Sequence, residues 1–158
     1  MGKLIVSFIL ASTLAAPTSL SAEMPAPSGY DAALAEELGA DDYGMRAYVF
    51  VMLRTGPADA EITDKELRSE MFRGHFANMG KLAKEGKLVL AGPLSDGTNE
   101  RGLFILNVAS IEEARLLMQD DPTIAAGIFT VDYLNYYGSA APMKLNDIHA
   151  TIQKTSIE

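Results

Sequence analysis

The hydrophobic pattern changes period along the chain. Over residues 46–54, Ala47, Val49, Val51 and Leu53 alternate with Tyr48, Phe50 and Met52, so a strand here is apolar on both faces. Gly56-Pro57 ends it. Thr63 or Asp64 then caps a helix running to about Glu85, and Gly86 stops it. Residues 87–91 read as a second strand, closed by Gly92-Pro93. A turn containing Asp96-Gly97 leads to a third strand over 102–108, giving a hairpin. Ser110 with Glu113 forms the capping box of a second helix, to about Gln119. Asp121-Pro122 opens a further short turn of helix, which Gly127 ends. Residues 128–137 are the fourth strand.

The order is β-α-β-β-α-β, the ferredoxin-like split unit, an α+β fold with a four-stranded antiparallel sheet. Two helices cover one face of such a sheet. The other face is also apolar and needs a second layer. A second copy supplies it most simply, sheet against sheet, as a two-fold dimer with a barrel-like centre. The alternative is that the flanking segments cover that face in a monomer. Of those, residues 30–38 read as a short helix with Asp31 at its start and Gly39 as its stop. Residues 143–158 are polar and read as a tail or an edge segment.

Composition narrows the chemistry. The 158 residues carry a net charge of −8, so a basic stripe for nucleic acid is not expected. There is no Cys, which excludes disulfides, zinc ribbons and thiol catalysis. Two His exclude a site of several His ligands. At the N-terminus, Lys3 precedes an apolar run over 4–16, followed by Pro17 and the small residues Ser21 and Ala22. This is the three-part pattern of a secretory signal peptide cleaved after Ala22, and the run is too short to span a bilayer comfortably. The expected organisation is a signal peptide (1–22), an N-terminal extension (23–44), the main domain (45–142) and a C-terminal tail (143–158). The expected location is periplasmic or secreted, with no membrane contact after signal removal.

On a helical wheel of about 100° per residue, Leu67, Met71, Phe72, Phe76, Met79, Leu82 and Ala83 fill an arc of roughly 180°. Glu66, Glu70, Arg73, Lys81 and Lys84 lie opposite. His75 falls about 80° from Leu67, near the middle of the apolar arc. It therefore faces the sheet. Two readings stay open: a core His bonded to backbone, or an imidazole whose pKa a nearby carboxylate tunes for proton transfer. Asp121 is the candidate partner. It is also a good helix cap before Pro122, and one carboxylate oxygen can cap while the other orients a ring. Arg46, Arg54 and Arg73 are each able to grip a substrate carboxylate or to stand as solvated ion pairs. A metal on His75, Asp121 and a third carboxylate such as Asp132 has no support from spacing. His149, in the polar tail, reads as solvated.

Arg73-Gly74-His75, Gly86-Lys87-Leu88, Ala91-Gly92-Pro93-Leu94, Gly102, Glu112-Glu113-Ala114-Arg115, Asp121-Pro122 and Ala126-Gly127 come in an order that resembles the YCII-related (YciI-like) family. The resemblance spans roughly residues 46–137. It implies the dimeric ferredoxin-like α+β barrel and a His and Asp pair, here His75 and Asp121. Two departures stand out: the N-terminal segment to Gly44, and Thr123 where an aromatic residue is common, at a position expected to line the pocket. The expectation is an exported enzyme without a cofactor. His75 and Asp121 would act as acid and base on a small organic acid or lactone, by elimination, isomerisation or hydrolysis. Arg73, Gly92, Pro93 and Thr123 are the expected substrate contacts. The alternative is a non-catalytic exported protein that binds a small molecule or assembles, with a structural His–Asp bond.

Overall fold

A computed structural model describes residues 28–95 and 99–155. The signal peptide expected at 1–22 and the Asp96-Gly97 turn lie outside the described residues. The chain divides into two units, Met1–Tyr30 and Asp31–Glu158, and the second carries the described helices and strands.

Its elements are α1 (Ala32–Glu37), β1 (Met45–Thr55), α2 (Lys65–Lys84), β2 (Leu88–Pro93), β3 (Glu100–Leu106), α3 (Ile111–Met118), α4 (Pro122–Ala125), β4 (Phe129–Ser139), a 3-10 turn (Ala141–Lys144) and α5 (Leu145–Ile152). The strands form one antiparallel sheet in the order β2-β3-β1-β4, the ferredoxin-like arrangement.

The helix boundaries are set by the side chains at their ends. Asp64 accepts from the Leu67 N–H at 2.8 Å to start α2, and Gly86, at φ +67°, takes the left-handed turn that ends it. Ser110 caps α3 by accepting from the Glu113 N–H at 3.1 Å. The returning bond of that capping box goes one residue further back: the Glu113 carboxylate accepts from the Ala109 N–H at 3.1 Å.

The register sorts the strands into two faces. Val51 stands between Phe104 and Tyr133, and with Val49, Leu53, Leu106 and Phe129 it packs under the helices against Leu82, Ala114 and Met118. Each such fully buried side chain contributes about 1.5–3 kcal/mol. On the opposite face Phe50 pairs with Ile105 and Leu134, and Tyr48 pairs with Tyr136.

One expectation is corrected by these elements. Gly92-Pro93 does not close β2; both residues lie within it. β2 is an edge strand, where a proline's missing N–H costs no ladder bond. The segment after 143, expected as a tail or an edge segment, meets the edge strand β2. It contains α5, and Asn146 Nδ2 donates to the Leu88 carbonyl at 2.7 Å to tie that helix to β2. Met143 packs on Tyr48, Val89 and Ile105, so the chain covers part of its own second face. Leu90, Leu134 and Tyr136 remain exposed there.

At the same end of the sheet, Arg46 Nη1 donates to the Leu38 carbonyl at 2.6 Å, and the Lys144 ammonium pairs with Glu37. These contacts hold α1 beside the starts of β1 and α5.

Candidate functional site

Helical periodicity carries His75 from α2 into the core, where it is 6% exposed. Four phenyl rings surround it. Phe104 of β3 stacks on the imidazole at 6.0 Å between centroids, and Phe129 of β4, Phe72 and Phe76 meet it edge-on at 5.8, 6.2 and 5.4 Å. An apolar shell of this kind gives one polar contact unusual weight, since little else competes for the ring.

That contact is Asp121. His75 Nδ1 donates to Asp121 Oδ2 at 2.6 Å, and the carboxylate is fully buried. Asp121 sits there because it is the N-cap of α4, with Pro122 in the first helical turn. Its other oxygen, Oδ1, accepts the Thr123 N–H at 2.9 Å and the Thr123 hydroxyl at 2.6 Å. One carboxylate thus caps a helix with one oxygen and holds an imidazole with the other. Burial pushes the Asp121 carboxyl up. The hydrogen bonds from His75 and Thr123, with the electrostatic pull of the ring, outweigh it and hold the group below its ordinary value.

Gly74 makes the pairing possible. A Cβ there would lie 2.6 Å from Pro122 Cγ, so the proline ring of α4 rests directly on the α2 backbone. The glycine next to the histidine is what lets the helix start reach the ring.

The outer ring nitrogen is different. His75 Nε2 takes no partner among the described residues. The His75 side chain as a whole is 8% exposed. With Nδ1 donating to the carboxylate, the neutral ring carries its lone pair on Nε2.

The remaining expected contacts are placed unevenly. Thr123 joins the pair, yet it is fully buried with its hydroxyl committed to Asp121, so it does not line a pocket. Arg73 is exposed, about 200° round α2 from His75, and is not brought to the pair. Gly92 pairs with Leu103 across the β2–β3 ladder, and Leu103 neighbours Met52 on the face turned away from His75. Pro93 is exposed at the end of β2. Asp132 is exposed on β4 and bonded to Arg54 Nε at 2.6 Å, away from the pair. His149 is exposed on α5. Among the described residues no group of three or more His, Cys, Asp or Glu could hold a metal, and no helix is long and apolar enough to cross a membrane.

A cleft of about 610 Å³ lies elsewhere, between the start of β1, the end of β4 and the N-terminus of α3. Arg46, Lys87, Asn107, Glu113, Asp41 and Tyr137 line it. Each of these is engaged within the protein: Lys87 pairs with Glu113 at 2.8 Å, Asp41 bonds the Tyr137 hydroxyl, and Arg46 reaches Asn107.

The fold and the buried pair define a ferredoxin-like α+β domain with one inward-facing imidazole. The YCII-related domain model matches residues 48–134, more than half of the chain, and the chain belongs to that family. His75 and Asp121 fall inside the matched region; α1 and α5 fall outside it. The chain is 29% identical over 83 residues to the uncharacterized protein YjpA of Bacillus subtilis (strain 168), covering 52% of this chain and 85% of that one. Among solved structures it is similar to 5-chloro-2-hydroxyhydroquinone dehydrochlorinase (TftG) from Burkholderia phenoliruptrix AC1100, in complex with 2,5-dihydroxybenzoquinone. The identity is 21%, the match covers 56% of this chain and 90% of that one, and the TM-score is 0.39.

Proposed function

We propose that the chain is an enzyme that needs no cofactor, in which His75 Nε2 exchanges a proton with a small organic acid or lactone. The observation that carries this reading is the asymmetry of the ring: Nδ1 is held by a buried carboxylate at 2.6 Å, while Nε2 has no partner among the described residues. In the cycle, Nε2 takes a proton from the substrate and returns it to the product or leaving group. Asp121 keeps Nδ1–H in place and balances the imidazolium. Elimination and isomerisation suit such a pair, and so does hydrolysis, in which Nε2 takes the proton from an attacking water and passes it to the leaving oxygen; positioning of the substrate supplies the rest. General acid–base help of this kind contributes about 10²–10⁴-fold. The test is metabolite profiling with the purified protein and its His75→Gln variant. Conversion by the wild type that the variant loses supports the reading; full turnover by the variant overturns it.

The second sheet face supports a homodimer. Phe50, Met52 and Leu103 are half-buried and Leu134 and Tyr136 exposed on one surface, an apolar patch that a copy of itself would cover. Export to the periplasm or medium rests on the sequence of residues 1–22. Amino-terminal sequencing of the exported chain checks it, and a retained Met1 counts against it.

A second reading is a non-catalytic binding or assembly protein in which His75–Asp121 is a structural bond. The small opening at the ring, 8% of the side chain, favours it. Turnover of any metabolite by the wild type removes it.

A further inference from the structure

We propose that Thr123 is a positioning residue: it claims one oxygen of Asp121 and so reserves the other for the imidazole. The proposal rests on the reading of His75 as the proton-exchanging group.

The geometry is a chain of directed bonds. The Thr123 hydroxyl donates to Asp121 Oδ1 at 2.6 Å, the Thr123 N–H donates to the same oxygen at 2.9 Å, and His75 Nδ1 donates to Oδ2 at 2.6 Å. Asp121 and Thr123 are both fully buried. A carboxylate pinned by two donors on Oδ1 cannot turn about its Cβ–Cγ bond without stranding at least one of them away from water. The hydroxyl oxygen also lies 3.5 Å from Nδ1, too long to compete for the ring. The consequence is a fixed direction of donation, hydroxyl to carboxylate and ring to carboxylate, which holds the neutral ring in the form that carries its lone pair on Nε2.

Few other charges face this group. His75 comes from α2, and Tyr133 of β4 is coupled to Asp121 electrostatically. Arg115 of α3 lies 4.5 Å over the Tyr133 ring, and Asp120, next in the chain, is exposed. The two donors from residue 123 and the one from His75 are the hydrogen bonds that favour the ionised carboxylate, in line with its lowered pKa.

The test uses the backbone amide of residue 123, which donates to Asp121 and reports its ionisation in an NMR acid titration. In Thr123→Val the Asp121 midpoint is expected to rise by about one pH unit, the effect of one lost bond to a charged group. The ¹⁵N shifts of the His75 ring are expected to move from a single tautomer towards a mixture. Thr123→Ser keeps the hydroxyl and is expected to match the wild type in both. If Thr123→Val does not fold, Thr123→Ala takes its place with the same expected direction. A purely structural threonine would change the unfolding midpoint and leave these titrations alone. An unmoved Asp121 midpoint in the valine or alanine variant overturns the proposal, as does a serine variant that moves as far. If the wild-type ring already shows mixed tautomers and no response to Asp121, the reading of the pair itself fails. An intact wild-type pair with unmoved variants removes the role of Thr123 alone.

Discussion

Gly74 and Pro122 meet so closely that a methyl group on the glycine would overlap the proline ring, at 2.6 Å from Cγ. This contact joins the helix that carries His75 to the helix that Asp121 starts. The separation of the pair is therefore set by the absence of a side chain one residue before the ring.

Gly74→Ala tests that directly. Alanine favours the helix by about 1 kcal/mol over glycine. Overpacking against a rigid ring costs about 1–3 kcal/mol. The expected outcome is a net loss, read as a lower urea midpoint, together with a weakened His75–Asp121 bond in the ring ¹⁵N spectrum. A variant more stable than the wild type with the bond intact would refute this role for the glycine.

Asp121→Ala removes a cap and a buried hydrogen-bonding partner in one step. Breaking one side of a buried pair costs about 3–5 kcal/mol, and the lost cap belongs within that change, since both roles use the same carboxylate. His75→Gln keeps a polar side chain at the site and is expected to cost less. Urea unfolding of the two variants checks the order.

The pH dependence of stability has a defined sign. Hydrogen bonds to the buried carboxylate hold Asp121 below its ordinary value of 3.8 in the folded chain. The folded state therefore binds fewer protons than the unfolded state in that range. The stabilisation is fully present above the ordinary carboxyl pKa and is lost as pH falls through the lower folded value. Urea midpoints of the wild type are expected to fall steeply below about pH 4, and Asp121→Asn to flatten that part of the curve. Equal slopes in the two proteins would contradict the assignment.

Leu134 is 56% exposed beside Phe50 on the second face. Leu134→Asp is expected to leave the fold of a single chain within about 0.5 kcal/mol, as surface changes usually do. Sedimentation velocity is expected to find the wild type as a dimer and the variant as a monomer. A wild type that sediments as a monomer at micromolar concentration would exclude the proposed dimer.

The sheet and its long helix were legible because their periods are long and unbroken. The same rhythm that buries Leu82 and half-buries Met71 and Met79 turns His75 inward, and Asp-Pro marks a helix start whatever else the aspartate does. The partnership of the two needed only the right order of elements. Other features depend on tertiary contacts that leave no local trace. Leu145, Ile148 and Ile152 have helical spacing, but no side chain caps α5, and its anchor is a bond from Asn146 to a strand 58 residues earlier. Gly-Pro reads as a breaker, and only the edge position of β2 lets it stay in the ladder. Thr123, in the first turn of a four-residue helix, gives no sign that its hydroxyl points back at the cap. Gly74 did carry a signal, since glycine within a helix often marks a close neighbour.

Asp121 starts a helix with one oxygen and grips a ring with the other. If the proposed reaction were lost in a descendant of this chain, the aspartate and the ring it grips would still be retained, because discarding either would loosen the fold. Mutational drift would surface first at the rim around Nε2, where none of the described groups depends on the nitrogen.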